Sequence, residues 1–263
     1  MVTTWNKWCF TTGYIEVSVS LPGNAQTPGF WPAAWTMGNL GRAGYGATTE
    51  GMWPYTYDSC DLGTFPNQTD ASGNPQVDAT GGSDGGPLSF LPGQRLSHCT
   101  CPGSDHPGPS VNTGRGVPEI DIFEAQIDTS ARQGQVSQSY QVAPYNYQYN
   151  FNNASPATTI YDDSVTTFNN YKGGVYQQAL SAVTFTDSDN YGGNGFGQYG
   201  FEWWSDPKHR DQGYITWLSD GQARWQITSA SCGADSTSQV NQRLISEEPH
   251  VSGCGNFLMF AAY

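Results

Sequence analysis

The chain has 263 residues, enough for one large domain with a substantial core or for two small ones. A formal charge of −13 at pH 7 argues against nucleic acid and against an anionic membrane surface as partners. Aromatics reach 14% while charged residues stop at 13%, and 32 glycines and 16 prolines break the chain, a balance that favours β-strands joined by long structured loops. Disorder would need a chain poor in aromatics, and this one carries nine tryptophans and fifteen tyrosines.

The first ten residues, MVTTWNKWCF, have neither a basic n-region nor an apolar h-region, so they do not read as a signal peptide. No run reaches the roughly 20 apolar residues that cross a bilayer. Residues 13–23, GYIEVSVSLPG, set Ile15, Val17, Val19 and Leu21 on one face against Tyr14, Glu16, Ser18 and Ser20, a half-buried strand ended by Pro-Gly. FWPAAWTMGN (30–39) is too aromatic for a surface loop. Between Trp53 and Glu119 runs a long Gly/Pro/Asp-rich segment, read as an ordered loop insertion of one domain spanning 1–263, about residues 54–116. Further on, GVPEIDIFEAQI (116–127), GQVSQSYQVAPY (134–145), YGFEWWSD (199–206) and GYITWLSDG (213–221) read as strands, the last closing on an Asp-Gly turn. No stretch carries a convincing 3.6-residue period, and no repeat appears.

Six cysteines point to an oxidising compartment, and so do the sequons Asn67-Gln68-Thr69 and Asn153-Ala154-Ser155. His98, Cys99, Cys101 and His106 lie within ten residues, but C-x-C departs from zinc-site spacing and Cys60 stands upstream. A disulfide with surface histidines is the expectation there. No metal and no cofactor are expected.

The sharpest feature is GVPEIDIFEAQ (116–126), with Glu119, Asp121 and Glu124 among isoleucines and a phenylalanine. Acids are rarely buried among β-formers without a partner or a task. Alternation puts Glu119 and Asp121 on one face of a regular strand and Glu124 on the other. A β-bulge after Asp121 would return Glu124 to the carboxylate face. Retaining glycosidases need two carboxyls about 5–5.5 Å apart, which neighbouring same-face positions approach. A calcium site or an acidic edge strand remains the alternative on spacing alone.

These residues resemble a known family. E-I-D-I-F-E is similar to the signature of glycoside hydrolase family 16 in its bulged form, and GFWPAAWTMGN (29–39) resembles that family's Gly-x-Trp-Pro-Ala-x-Trp strand. More narrowly, TWNKWCFTTGYIEVSVSLPG (4–23), GRAGYGATTEGMWPYTYDSCDLGTFPNQT (41–69) and YGFEWWSDP (199–207) resemble the fungal β-glucan synthesis-associated proteins. The likeness runs from about Trp5 to Pro249. It implies an all-β, concanavalin A-like sandwich (jelly roll) lacking some terminal strands. It implies Glu119 as nucleophile, Asp121 as its orienter and Glu124 as acid/base. Trp35, Trp31, Asn39, Gln138 and Trp203 would bind substrate, Trp35 ahead of Trp31, with Gln138 where many laminarinases carry a histidine.

The function so implied is a retaining β-glucan glycosidase or transglycosylase of cell-wall β-glucan, including β-1,6-glucan, biosynthesis. A non-catalytic glucan-binding module or assembly factor is the second reading, and a secreted endo-β-1,3-glucanase the third. The partner is a β-glucan polysaccharide or oligosaccharide, and the location the secretory pathway or cell surface. Full-length relatives are membrane-anchored, and contact with a membrane is expected only through an anchor absent from this chain.

Overall fold

The structure, a computed structural model, describes residues 2–4, 8, 10, 12–38, 118–142, 146, 149–173, 177–205, 208–209, 212–232 and 257–261. These form two antiparallel sheets packed face to face, an all-β sandwich. The strands in chain order are β1 (Val2–Thr3), β2 (Gly13–Val19), β3 (Ala33–Met37), β4 (Glu119–Asp128), β5 (Gln133–Val142), β6 (Thr158–Ile160), β7 (Thr166–Phe168), β8 (Gln178–Phe185), β9 (Gly197–Trp204), β10 (Tyr214–Ser219), β11 (Gln222–Thr228) and β12 (Phe257–Ala261). One sheet has seven strands in the order β1-β12-β3-β4-β5-β8-β7. The other has five, β2-β9-β10-β11-β6. Two short 3-10 turns lie at Ser188–Asn190 and Ser229–Ser231.

Alternation explains the strands that face water on one side. In β2, Ile15 and Val17 point inward while Tyr14, Glu16 and Ser18 are exposed. β9 behaves alike: Tyr199, Phe201 and Trp203 are buried, and Gln198, Glu202 and Trp204 are exposed. β10 and β11 form a hairpin whose central residues, Asp220 and Gly221, have φ of 51° and 71°. Positive φ at both positions is the type I′ requirement that an Asp-Gly pair meets at low cost. β12 pairs with β3 over Phe257↔Met37 to Ala261↔Ala33, so a strand lies in FLMFA where the sequence reading had none.

The core lies between the sheets. Trp217 and Trp225 stack with centroids 4.4 Å apart and planes at 7°. Phe123 of β4 meets Tyr199 of β9 at 4.9 Å, which ties the two sheets together. Trp203, only 1% exposed, takes Phe10 edge-on at 6.2 Å. The expectation that Trp203 lines the cleft is therefore corrected. It shares the inward parity of Tyr199 and Phe201, in the sheet opposite the acids, and its strand neighbour Trp204 is the one at the surface.

The insertion expected at about residues 54–116, with Cys60, Cys99, Cys101, His98, His106 and the Asn67 sequon, lies outside the described residues. Asn153 of the second sequon is exposed. Cys232 is a free thiol whose pKa burial pushes up. No helix among the described residues is long and apolar enough to cross a membrane.

Trp203→Ala should cost about 3–5 kcal/mol of stability, the usual penalty for emptying a buried aromatic site. Trp204→Ala should stay within about 0.5 kcal/mol, as exposed substitutions do. Chemical denaturation of the two variants checks the assignment, and comparable losses would contradict it.

Candidate active site

β4 pairs with β5 as Asp121↔Ser139 and then Glu124↔Ser137. Three steps on β4 therefore match two on β5, so β4 carries one extra residue. The pairing with β3 jumps at the same place, from Trp35↔Asp121 to Ala34↔Phe123. The bulge that the spacing of the acids predicts is present. Its signature is two consecutive buried side chains, Ile122 at 0% and Phe123 at 1% exposure. With Ile120 and Ala125 they face the core, while Glu119, Asp121, Glu124 and Gln126 take the outer face.

Glu119 and Glu124 line an open cleft of about 430 Å³ on that face. Its floor comes from β5, through Ser137, Ser139 and Gln141. Trp31 closes one side, and Asn169, Tyr171 and Gln177 from the β7–β8 connection close the other. Ser139 and Ser181 share a hydroxyl hydrogen bond of 2.7 Å, and Asn169 Nδ2 donates to Ser181 Oγ at 3.1 Å. Gln177 Nε2 donates to the Tyr171 hydroxyl at 2.8 Å, which holds the ring at the rim.

The acids differ in environment. Asp121 is fully buried and accepts from Gln141 Nε2 at 3.0 Å. Burial first, then the charge of Glu119 and a side-chain hydrogen bond with it, push the Asp121 carboxyl well above the usual carboxylate range, against the pull of Gln141. The hydrogen bond between Asp121 and Glu119 ties the two side chains together. Glu124 is pushed up to about 8, by burial and then by the charge of Asp121, with a hydrogen bond from Ser137 opposing. At neutral pH this arrangement holds a proton on Glu124. Tyr171 feels the same field: burial, and then the three acids, raise its phenol, and only the bond from Gln177 opposes them.

The other expected residues distribute unevenly. Trp35 lies opposite Asp121 in the β3–β4 register and is half-buried, so it shares the carboxylate face. Trp31, ranked behind it, is the tryptophan that lines the cleft, at 54% exposure. Asn39 lies outside the described residues. Gln138 is a correction: it is fully buried and points into the sandwich, where its Nε2 donates to Ile122 O at 2.9 Å and to Leu218 O at 3.0 Å. Residues of its parity on β5 face the core, and Gln141 is the glutamine of this strand in the cleft. Sequence reasoning missed Gln141, although the hairpin register Asp128↔Gln133 fixes the parity of every later position up to the bulge. It also missed Tyr171, for which the local sequence gives no signal. No cluster of metal-ligating side chains occurs among the described residues.

Residues 1–256 match the family described as β-glucan synthesis-associated protein SKN1/KRE6/Sbg1. The chain belongs to that family. It is 42% identical over 258 residues to the β-glucan synthesis-associated protein KRE6 of Saccharomyces cerevisiae, covering 95% of this chain and 32% of that protein. It is 43% identical over 253 residues to SKN1 of Candida albicans, covering 95% and 31%. The chain thus spans about a third of the length of the curated relatives it matches. A solved structure described under endo-acting O-glycanases that initiate mucin breakdown aligns with a TM-score of 0.37 and 12% identity, over 99% of this chain and 59% of its own, too loose a likeness to argue from.

The shifted acids carry a consequence for stability. Folded Glu124 keeps its proton to about pH 8, whereas the unfolded side chain releases it near 4.5. The folded state therefore binds more protons across that window, and this site weakens folding as pH rises through it. Asp121 acts in the same direction from about pH 3.8 upward. Glu124→Gln should melt higher than wild type at pH 7–8, by roughly 2–4 °C for each kcal/mol relieved. The gap should close below about pH 4. Thermal melts from pH 4 to 9 read both, and a gap independent of pH would contradict the assignment.

Proposed function

We propose that this chain is the catalytic part of a retaining β-glucan glycosidase or transglycosylase acting in the synthesis and remodelling of fungal cell-wall β-glucan, β-1,6-glucan included. The observation that carries the reading is the bulged strand that brings Glu119 and Glu124 to one cleft, with the pKa of Glu124 pushed up to about 8. Glucan as the substrate class rests on the relatives' names, on the neutral polar floor, and on the two aromatic rings, Trp31 and Tyr171, that flank the acids. Sugar faces stack on such rings, and sugar hydroxyls pair with the serines and amides between them.

The reaction runs as a double displacement. Glu119 attacks the anomeric carbon while Glu124 gives its proton to the leaving oxygen, and the glycosidic C–O bond breaks. Glu119 is then esterified to the sugar and Glu124 is a carboxylate. An incoming hydroxyl, from water or a second sugar, loses its proton to Glu124 and attacks the same carbon, which frees Glu119. Asp121 keeps Glu119 oriented throughout. Work in the secretory pathway or at the cell surface fits the exposed Asn153 sequon.

A second reading, a glucan-binding module or assembly factor without turnover, draws on the family's printed name, which speaks of association with synthesis rather than of a reaction. Mass spectrometry of β-1,3- and β-1,6-linked glucan oligosaccharides after incubation with the protein separates the two. The catalytic reading expects new shorter or longer oligomers that vanish with Glu119→Gln. Glu124→Gln should lose roughly 10²–10⁴-fold on these oligomers, the usual worth of a general acid. It should keep far more of its rate on an aryl β-glucoside whose leaving group needs no proton. Oligomers that bind and stay unchanged would favour the binding module.

A further inference from the structure

The acids reach one face only because β4 holds an extra residue, and a bulge disrupts its ladder and leaves backbone groups to find other partners. Two carbonyls at this bulge accept from core side chains. Trp217 Nε1 donates to Asp121 O at 2.8 Å, and Gln138 Nε2 donates to Ile122 O at 2.9 Å. The second N–H of Gln138 reaches Leu218 O at 3.0 Å. Leu218 itself sits at a register break, between Trp217↔Trp225 and Leu218↔Ala223 in the β10–β11 pair. One side chain thus joins an irregularity in each sheet. Gln138 is 0% exposed, and its Oε1 has no partner among the described residues, so the position uses its two donors and nothing else.

We propose that Gln138 is a positioning residue for Glu124, its amide fixing the β4 bulge that aims the carboxyl into the cleft, with Trp217 as the second cap. The inference rests on the catalytic reading of the acids. A regular strand would turn Glu124 to the core side with Ile120 and Ile122. Neutral caps on the bulge carbonyls favour the bulged register over that one without placing a charge near the acid. Once the caps are lost, the carboxyl cannot follow the strand into the core without desolvation, so the loosened side chain turns toward water.

The test compares Gln138→Leu, which keeps bulk and removes both donors, with Trp217→Phe, which keeps a ring against Trp225 and removes one. Val136→Ala is the control, since it loosens the same core without touching either carbonyl. Two readouts are taken: the ¹³C-carboxyl titration of Glu124, assigned with Glu124→Gln, and kcat and KM on β-glucan oligosaccharides. In Gln138→Leu the titration midpoint should fall from about 8 by one pH unit or more. There kcat should fall roughly 10–100-fold with KM nearly unchanged, as small misplacements of a reacting group do. Trp217→Phe should move both the same way by less, and Val136→Ala should lower the melting temperature and move neither.

A midpoint in Gln138→Leu that stays with wild type overturns the proposal. Should that variant fail to fold, an unmoved midpoint in Trp217→Phe overturns it instead. The titration needs no turnover. A shifted midpoint in a protein that leaves every glucan intact would therefore keep the positioning role and remove the catalytic reading.

Discussion

The site depends on one extra residue in β4. Side chains on a strand alternate, so acids at 119, 121 and 124 cannot share a face unless the phase slips once between the second and the third. The slip puts Ile122 and Phe123 into the core in succession and leaves Glu119 and Glu124 lining one cleft, with Asp121 buried between them on the same face. It also commits the rest of the sandwich. Phe123 needs the space beside Tyr199, and the bulge carbonyls need donors that come from β5 and from the opposite sheet. Among the described residues the five-stranded sheet adds nothing to the cleft lining, yet Trp217 donates to Asp121 O and the Leu218 carbonyl accepts from Gln138, so it supports the irregular shape of β4.

That division accounts for where the aromatic residues go. The inward-facing tryptophans of β9, β10 and β11 are buried, Trp217 bonding the bulge and stacking on Trp225, so their rings are not sugar platforms. The rings beside the acids come from chain segments outside regular strands: Trp31 just before β3 and Tyr171 in the β7–β8 connection. Loop residues can stand up at the rim of a cleft, whereas a strand residue on the same face lies flat among its neighbours. Trp35, half-buried opposite Asp121, is such a residue.

How much of this could be read in the sequence follows from the same parity. The alternation in β2, the Asp-Gly turn after β10, and the bulge itself were legible because each is a local pattern with one physical solution. β8 was not, since QALSAVTF is buried along most of its length on both faces and offers no alternation to read. The three-residue strands β6 and β7 are too short to carry a period. Trp203 was legible in principle: its parity matches Tyr199 and Phe201, while Glu202 marks the other face as solvent. Gln138 could have been assigned by counting back through the β4–β5 hairpin, but a resemblance in position outweighed the count. Tyr171 depends on where a connection folds across the sheet, and no short-range pattern encodes that.

Besides the bond between Asp121 and Glu119, the partners of these acids among the described residues are neutral, Gln141 on Asp121 and Ser137 on Glu124. An arginine or lysine in either place would hold the carboxyl more firmly, and it would also lower its pKa by stabilising the charged form. Glu124 would then lose the proton that its proposed role as acid needs at neutral pH. Neutral donors oppose the upward shift only weakly, so burial dominates and the acid stays protonated. The same choice leaves the site costly to fold, because the neutral donors named here only partly offset the desolvation of two carboxyls. A rigid apolar floor of stacked tryptophans under a capped bulge is what such a site requires, since rigidity must replace the ion pairs that the chemistry excludes.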